Sequence, residues 1–264
     1  MKMPYLCIAM IVVATACASA SEKTAPAPAP AAKDSTAAID SNDVFSDPRI
    51  QAMPAFGYKM IKAAIDTIND TIHEEESTGL NDSAYNALTL DQKFAYNLMH
   101  PEFYAQNCSI MPEHTDSVNK DTKEGEHIYA YLPQYFDLLE WSDRQEEFFK
   151  DNKDSVAVLI RNIIARQNRV SNDLKWVIDE ANITSLIPTL MDTYKQQPGP
   201  KDHYILTLLM RLMEQNKYPE FMQSASYKKL FANGANTGSA YLAYNQANED
   251  LIFQRATRFY NSSK

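Results

Sequence analysis

A cysteine flanked by histidines is the first arrangement in this chain that could do chemistry. Cys108 lies between His100 and His114. An imidazole beside a thiol lowers the thiol's pKa and takes its proton, which a thiolate nucleophile requires. No catalytic motif surrounds Cys108, and a lone cysteine is more often a small buried hydrophobe. The run His73-Glu74-Glu75-Glu76 offers imidazole and carboxylate groups for a metal ion or for acid–base work. On a helix, His73 and Glu76 share a face as an i,i+3 pair, which supplies two ligands only. The H-E-x-x-H metal pattern needs a second histidine where Ser77 stands. Asp151-Asn152-Lys153-Asp154 lacks the central Gly and closing Glu of a calcium loop. G-x-S-x-G, the phosphate-binding loop and the dinucleotide fingerprint are absent from the sequence. No metal, no cofactor and no catalytic residue is assigned.

Aromatic residues are the remaining functional signal. Tyr129, Tyr131, Tyr135, Phe136 and Trp141 follow the polar stretch 109–125, and Tyr241, Tyr244, Phe259 and Tyr260 lie near the C-terminus. Exposed, such side chains suit a glycan- or protein-binding face, because each combines a large apolar body with a polar tip. Burial is their more common fate. Tyr129, Tyr131, Tyr135 and Trp141 are the ligand-binding candidates. The reading they support is a non-enzymatic binding or interaction module for an envelope protein or glycan. The alternative is an envelope hydrolase using Cys108 or the His/Glu cluster. Gly125-Glu126-His127 resembles the start of the G-x-H-x-x-E motif of imelysin-like periplasmic helical proteins. Ala130 stands where the carboxylate belongs, so that family is not adopted.

The compartment comes from the N-terminus. Lys2 is the one early charge, and an apolar run extends from Leu6 to Ala16, broken only by Thr15. That run is too short for a bilayer-spanning helix of about 20 residues and has the layout of a signal peptide. Ala14-Thr15-Ala16-Cys17 resembles the lipobox of a bacterial, Bacteroidota-type lipoprotein, although Ala14 occupies the place where leucine is preferred. The resemblance implies acylation of Cys17. Ala18-Ser19-Ala20 also fits ordinary cleavage, the alternative to acylation. The Ala/Pro-rich stretch from Glu22 to Ala38 favours extended polyproline II and acts as a semi-rigid spacer. The expected organisation is a signal peptide over 1–16, anchor and tether over 17–47, and one helical domain over 48–264. The expected location is the outer membrane, facing periplasm or surface, with the soluble periplasm or secretion as alternatives.

Charge and cysteines narrow the partners. The net charge of −9 becomes −10 once residues 1–16 are removed. That disfavours nucleic acid, which needs a clustered basic face, and leaves the lipid as the only expected membrane contact. With Cys7 in the leader and Cys17 acylated, Cys108 is left alone, so no intramolecular disulfide is expected. Asp-Ser/Thr-aliphatic triplets place hydroxyls at Thr67, Thr71, Ser83, Ser117 and Ser155. They resemble the O-glycosylation acceptors of exported Bacteroidota proteins. Asp-Ser and Asp-Thr also suit helix starts and turns.

These residues must be positioned by helices. Tyr58, Ile61, Ile65, Ile68 and Ile72 form one apolar stripe. Thr89 through Gln92 reads as a capping box, and His100-Pro101 closes that helix. A short helix is predicted from Pro101 through Phe103 and Tyr104, another over Pro133–Trp141, and one capped by Ser142. Stripes follow at Val156–Ile164, Leu174–Ala181, Leu186–Tyr194 and Ile205–Met213, the last two separated by Gln197-Pro198-Gly199-Pro200. A long terminal helix is predicted over Ala240–Tyr260. No segment alternates convincingly as a strand. The fold class is all-α, an irregular bundle of about eight to ten helices. The pattern of 159–164 and 174–178 recurs at 186–191 and 205–209, which resembles HEAT-type, solenoid-like pairs in the C-terminal half.

Overall fold

The apolar stripes become helices with the predicted faces buried. In the computed structural model, which describes residues 58–71, 79–104, 126–133, 139–232 and 240–263, the first is α1 (Tyr58–Thr71), with Ile61, Ile65 and Ile68 inside. Then come α2 (Asp82–Ala87) and α3 (Leu90–Met99). The Thr89 capping box forms as written: Gln92 Oε1 accepts the Thr89 amide at 2.9 Å, and Thr89 Oγ1 accepts the Gln92 amide at 3.4 Å. The C-terminal half carries α4 (Asp143–Asp151), α5 (Lys153–Gln167), α6 (Asn172–Glu180), a 3-10 turn at Thr184–Leu186, α7 (Ile187–Gln196), α8 (Tyr204–Gln215), α9 (Pro219–Met222), α10 (Ala225–Leu230) and α11 (Gln246–Ser262). Eleven α-helices over the described residues make this an all-α, multi-helix fold. No helix among them is long and apolar enough to cross a membrane.

Three predicted helices are replaced, wholly or partly, by short strands. These are β1 (Phe103–Tyr104), β2 (His127–Tyr129), β3 (Leu139–Glu140) and β4 (Tyr241–Ala243), paired antiparallel as β1–β3 and β2–β4. The helix expected from Pro101 does not form because α4 captures the chain there. The Glu102 amide donates to Gln145 Oε1 at 3.0 Å, and the Glu102 carboxylate is held by Arg144 and Ser142. The helix expected over Pro133–Trp141 gives way to β3 at its end, and 134–138 lie outside the described residues. The terminal helix starts six residues later than predicted, at Gln246. Leu242 is drawn into pairing with Ile128, and Asn245 caps the helix by accepting the Asn248 amide at 2.9 Å. Tertiary pairing overrides local propensity in each case.

The centre of the core is α8. Ile205 to Met210, Leu212 and Met213 are all buried, so the helix is apolar nearly all round, as an interior helix must be. It packs on α6, α7, α9, α11 and β2. The recurring pattern falls on α5, α6, α7 and α8, of which α7 packs on α8 while α6 packs on α4 and α8. Two occurrences of the pattern are too few for a stack, and α11 closes over α7 and α8 from the far end of the sequence.

A smaller apolar cluster joins α1, α2 and α3 through Ile61, Ile65, Ile68, Tyr85, Ala95 and Tyr96. It is tied to the remainder by a buried polar clasp. Glu102 accepts from Tyr96 Oη at 2.7 Å, Ser142 Oγ at 2.8 Å and Arg144 Nε at 2.8 Å, with Arg144 Nη2 closer still. Arg144 reaches on to Asp82 at 2.9 Å and stacks over Tyr85 at 4.3 Å. Burial alone would raise the Glu102 carboxyl's pKa. The hydrogen bonds from Arg144, Tyr96 and Ser142 outweigh it and hold the group below its ordinary value.

Candidate functional site

The β2–β4 ribbon sorts its side chains by strand alternation. Ile128 and Leu242 face inward opposite each other, so His127, Tyr129 and Tyr241 share the outer face. His127 lies diagonal to Tyr241, within the reach of long side chains on neighbouring strands. Their rings stack at 3.6 Å and 26°. Tyr129 meets the His127 ring edge-on at 5.8 Å, lies 4.9 Å from Tyr131, and places its hydroxyl 3.0 Å from His127 Nδ1. The ribbon is pinned to α8: Thr207 Oγ1 donates to the Tyr129 carbonyl at 2.8 Å, and Arg211 Nη1 to the Ala130 carbonyl at 3.4 Å. Arg211 is itself fixed by a bidentate pair with Asp179.

The chain entering α8 forms the opposing wall. Gly199 adopts φ +78°, in the left-handed region that glycine enters without strain, and this lets the α7–α8 connection reverse. Lys201 then folds back onto the end of α7, where its ammonium donates to the carbonyls of Tyr194 (3.0 Å), Lys195 (3.1 Å) and Gln197 (3.1 Å). A cation on the last carbonyls suits the negative end of the helix dipole. Asp202 is fixed from two sides. One oxygen accepts the Tyr204 amide at 3.1 Å, and the other pairs at 2.6 Å with Lys175, whose side chain is 2 % exposed. His203 stacks on Tyr244 at 3.7 Å and 26°. Tyr244 is held in turn by Glu249 at 2.8 Å, which also accepts from Tyr194 at 2.9 Å. Burial, and then the bonds to Tyr244 and Glu249, drive the Tyr194 hydroxyl's pKa far up, so it stays a proton donor. For Tyr244 the bond to Tyr194 is the largest influence and acts downward; burial and Glu249 outweigh it, and the pKa is raised.

Between these walls lies a cavity of about 270 Å³, with His127 and Tyr129 on one side and Pro200 to Tyr204 with Thr207 on the other. Drug-sized ligands occupy roughly 300–1,000 Å³, so the space suits one ring-sized unit of a larger molecule. The wall offers aromatic surface, two imidazoles and an ammonium. Among the described residues, no group of three or more His, Cys, Asp or Glu could hold a metal ion.

The sequence-predicted residues divide. Tyr129 lines the cavity and Tyr131 packs against it. Trp141 is employed elsewhere: its indole N–H donates to the Asn97 carbonyl at 2.8 Å and its ring packs on Phe149. His100 is buried at the end of α3, its ring 5.5 Å from Tyr96. Tyr135, Cys17, Cys108, His114, His73, Glu76 and Ser117 lie outside the described residues. Thr67, Ser83 and Ser155 are exposed on α1, α2 and α5, and the Thr67 hydroxyl donates to the Ala63 carbonyl at 2.9 Å. Thr71 is the last residue of α1. His203, Lys201 and Tyr204 were not singled out from sequence. The Pro-Gly-Pro break ahead of α8 marks the connection that carries them. No family model matches the chain, and searches of characterised proteins and of solved structures return no match.

Proposed function

We propose that this protein is an exported, lipid-anchored helical binding module of a bacterial envelope, and that the cleft between the β2–β4 ribbon and the start of α8 takes one ring-sized unit of a glycan. The observation carrying this reading is the wall itself. Two imidazoles from distant elements border one cavity, each with a tyrosine stacked against it. Tyr129 and Tyr204 border the same space. Flat rings with polar tips suit the apolar faces and hydroxyl rim of a sugar, and they lose little conformational freedom on binding. The anchor and Ala/Pro tether support placement at a membrane surface with the domain held away from it. A glycan panel presented to the full chain tests the cleft. Captured glycans should be lost with Tyr129→Ala and with Tyr241→Ala while the unfolding temperature holds; capture unaffected by both variants refutes the assignment. Mass measurement of the mature N-terminus tests the anchor. An acylated Cys17 is expected, and an unmodified start at Ser21 would remove lipidation while leaving export.

A further inference from the structure

We infer that the cleft selects an acidic sugar, a hexuronate unit whose carboxylate is received by His127 and His203. This rests on the glycan-binding reading and specifies the ligand's charge. Both imidazoles border the cavity, and they arrive from opposite walls. Each is stacked by a tyrosine, Tyr241 behind His127 and Tyr244 behind His203, at 3.6 and 3.7 Å. The stacks fix the ring planes, and the negative face of an aromatic ring favours a cation resting on it. The tyrosines lie behind the imidazoles, and the carboxylate approaches from the cavity side.

The surrounding charges leave room for that carboxylate. Asp202 is the one acid on the cavity wall among the described residues, and its oxygens are occupied by Lys175 and by the Tyr204 amide. Glu249 stands behind Tyr244 and is occupied by Tyr194 and Tyr244. Glu126 is exposed at the start of the ribbon. Against these three acids stand Lys175, Lys201 and, 5.5 Å from the Tyr241 ring, Lys229. The neighbouring formal charges balance, so the two imidazoles are the groups left to set the sign of the site. Lys201 contributes charge rather than a donor, because three carbonyls take its ammonium hydrogens. The N-terminal end of α8, with no acid in its first turn, adds to the positive side.

Histidine is the side chain whose charge changes between about pH 5 and 8. A carboxylate that favours the protonated form of each imidazole must then bind more tightly as pH falls, by about tenfold for each unit by which it raises an imidazole's pKa. Titration calorimetry on the full chain with tetragalacturonate and with a hyaluronan tetrasaccharide, each beside its methyl ester, reads this out. The acids should bind about tenfold or more tightly at about pH 5.5 than at about pH 8. The esters, matched in ring shape but neutral, should show no such dependence. His127→Gln and His203→Gln should each remove a large part of it at an unchanged unfolding temperature. Tyr129→Ala should weaken acid and ester alike. Esters binding as tightly as acids at both pH values would overturn the inference and leave a neutral-glycan cleft. Failure of both acids to bind would overturn it as well, and a silent glycan panel beside that failure would remove the binding-module reading too.

Discussion

Replacing Glu102 by glutamine isolates the charge of the clasp from its shape. The carboxylate side chain is 6 % exposed and gathers donors from Tyr96, Ser142 and Arg144. Glutamine keeps the volume but presents one acceptor oxygen and an NH2 group where donors converge. It also strips Arg144 of its buried counter-charge. Breaking a buried ion pair from one side costs about 3–5 kcal/mol. Arg144 is 27 % exposed and retains Asp82 and the Tyr85 ring, so the expected loss is about 2–4 kcal/mol. That is a large share of a domain stability of roughly 5–15 kcal/mol. The pH dependence has a defined sign. Because the folded carboxyl's pKa lies below its ordinary value, its stabilisation is present above the unfolded pKa and is lost as pH falls through the folded one. Urea unfolding of wild type and Glu102→Gln should therefore differ fully at pH 7 and progressively less below about pH 4.3. A difference under about 0.5 kcal/mol at pH 7, the range of ordinary surface substitutions, would refute the clasp. So would a difference that is unchanged at pH 3.

Three further perturbations probe other joints of the fold. Gly79→Ala would set a methyl 2.6 Å from the Glu102 carboxyl carbon, a side chain the clasp prevents from moving aside; a loss of about 1–3 kcal/mol is expected in urea unfolding. Asp202→Asn leaves the Lys175 ammonium buried without its counter-charge. It should cost about 2–4 kcal/mol, most of which the double variant with Lys175→Met recovers, measured by thermal unfolding. Leu208→Ala excavates the centre of α8 and should cost about 2–5 kcal/mol while leaving glycan capture per folded molecule unchanged.

Residues whose positions are decided within one helix were legible in the sequence. The Ile61/Ile65/Ile68 stripe, the Thr89–Gln92 box and the buried run of α8 follow from a 3.6-residue period and a local hydrogen bond. The helix count falls just short because α2, α9 and α10 span only six, four and six residues. Such segments are below the window in which periodicity is measurable. The strands were hidden for a related reason. Each is two or three residues long, and their partners lie 35 to 116 positions away. Tyr129 could be named from composition, but His203 could not. Its place in the site depends on the Gly199 reversal and on stacking against Tyr244, which no neighbouring residue announces.

The cleft's construction bears on how it can work. Both of its walls are anchored to the same helix. Thr207 and Arg211 hold the ribbon, while His203 and Tyr204 are the residues from which α8 begins. Lys201 locks the second wall to α7, and Tyr244 is fixed through Glu249 of α11. The His203 plane is thus set through α7, α8 and α11, and the His127 plane by Tyr241 and Tyr129 on a ribbon held by α8. A ligand meeting side chains already held in place spends little of its binding energy on ordering them. Selectivity can then reside in the charge state of two histidines. This also separates the site from the Glu102 clasp, which binds α2, α3 and α4 together. Losing the clasp should lower stability while the cleft of the remaining folded molecules keeps its affinity. Losing the tyrosine stacks should do the reverse.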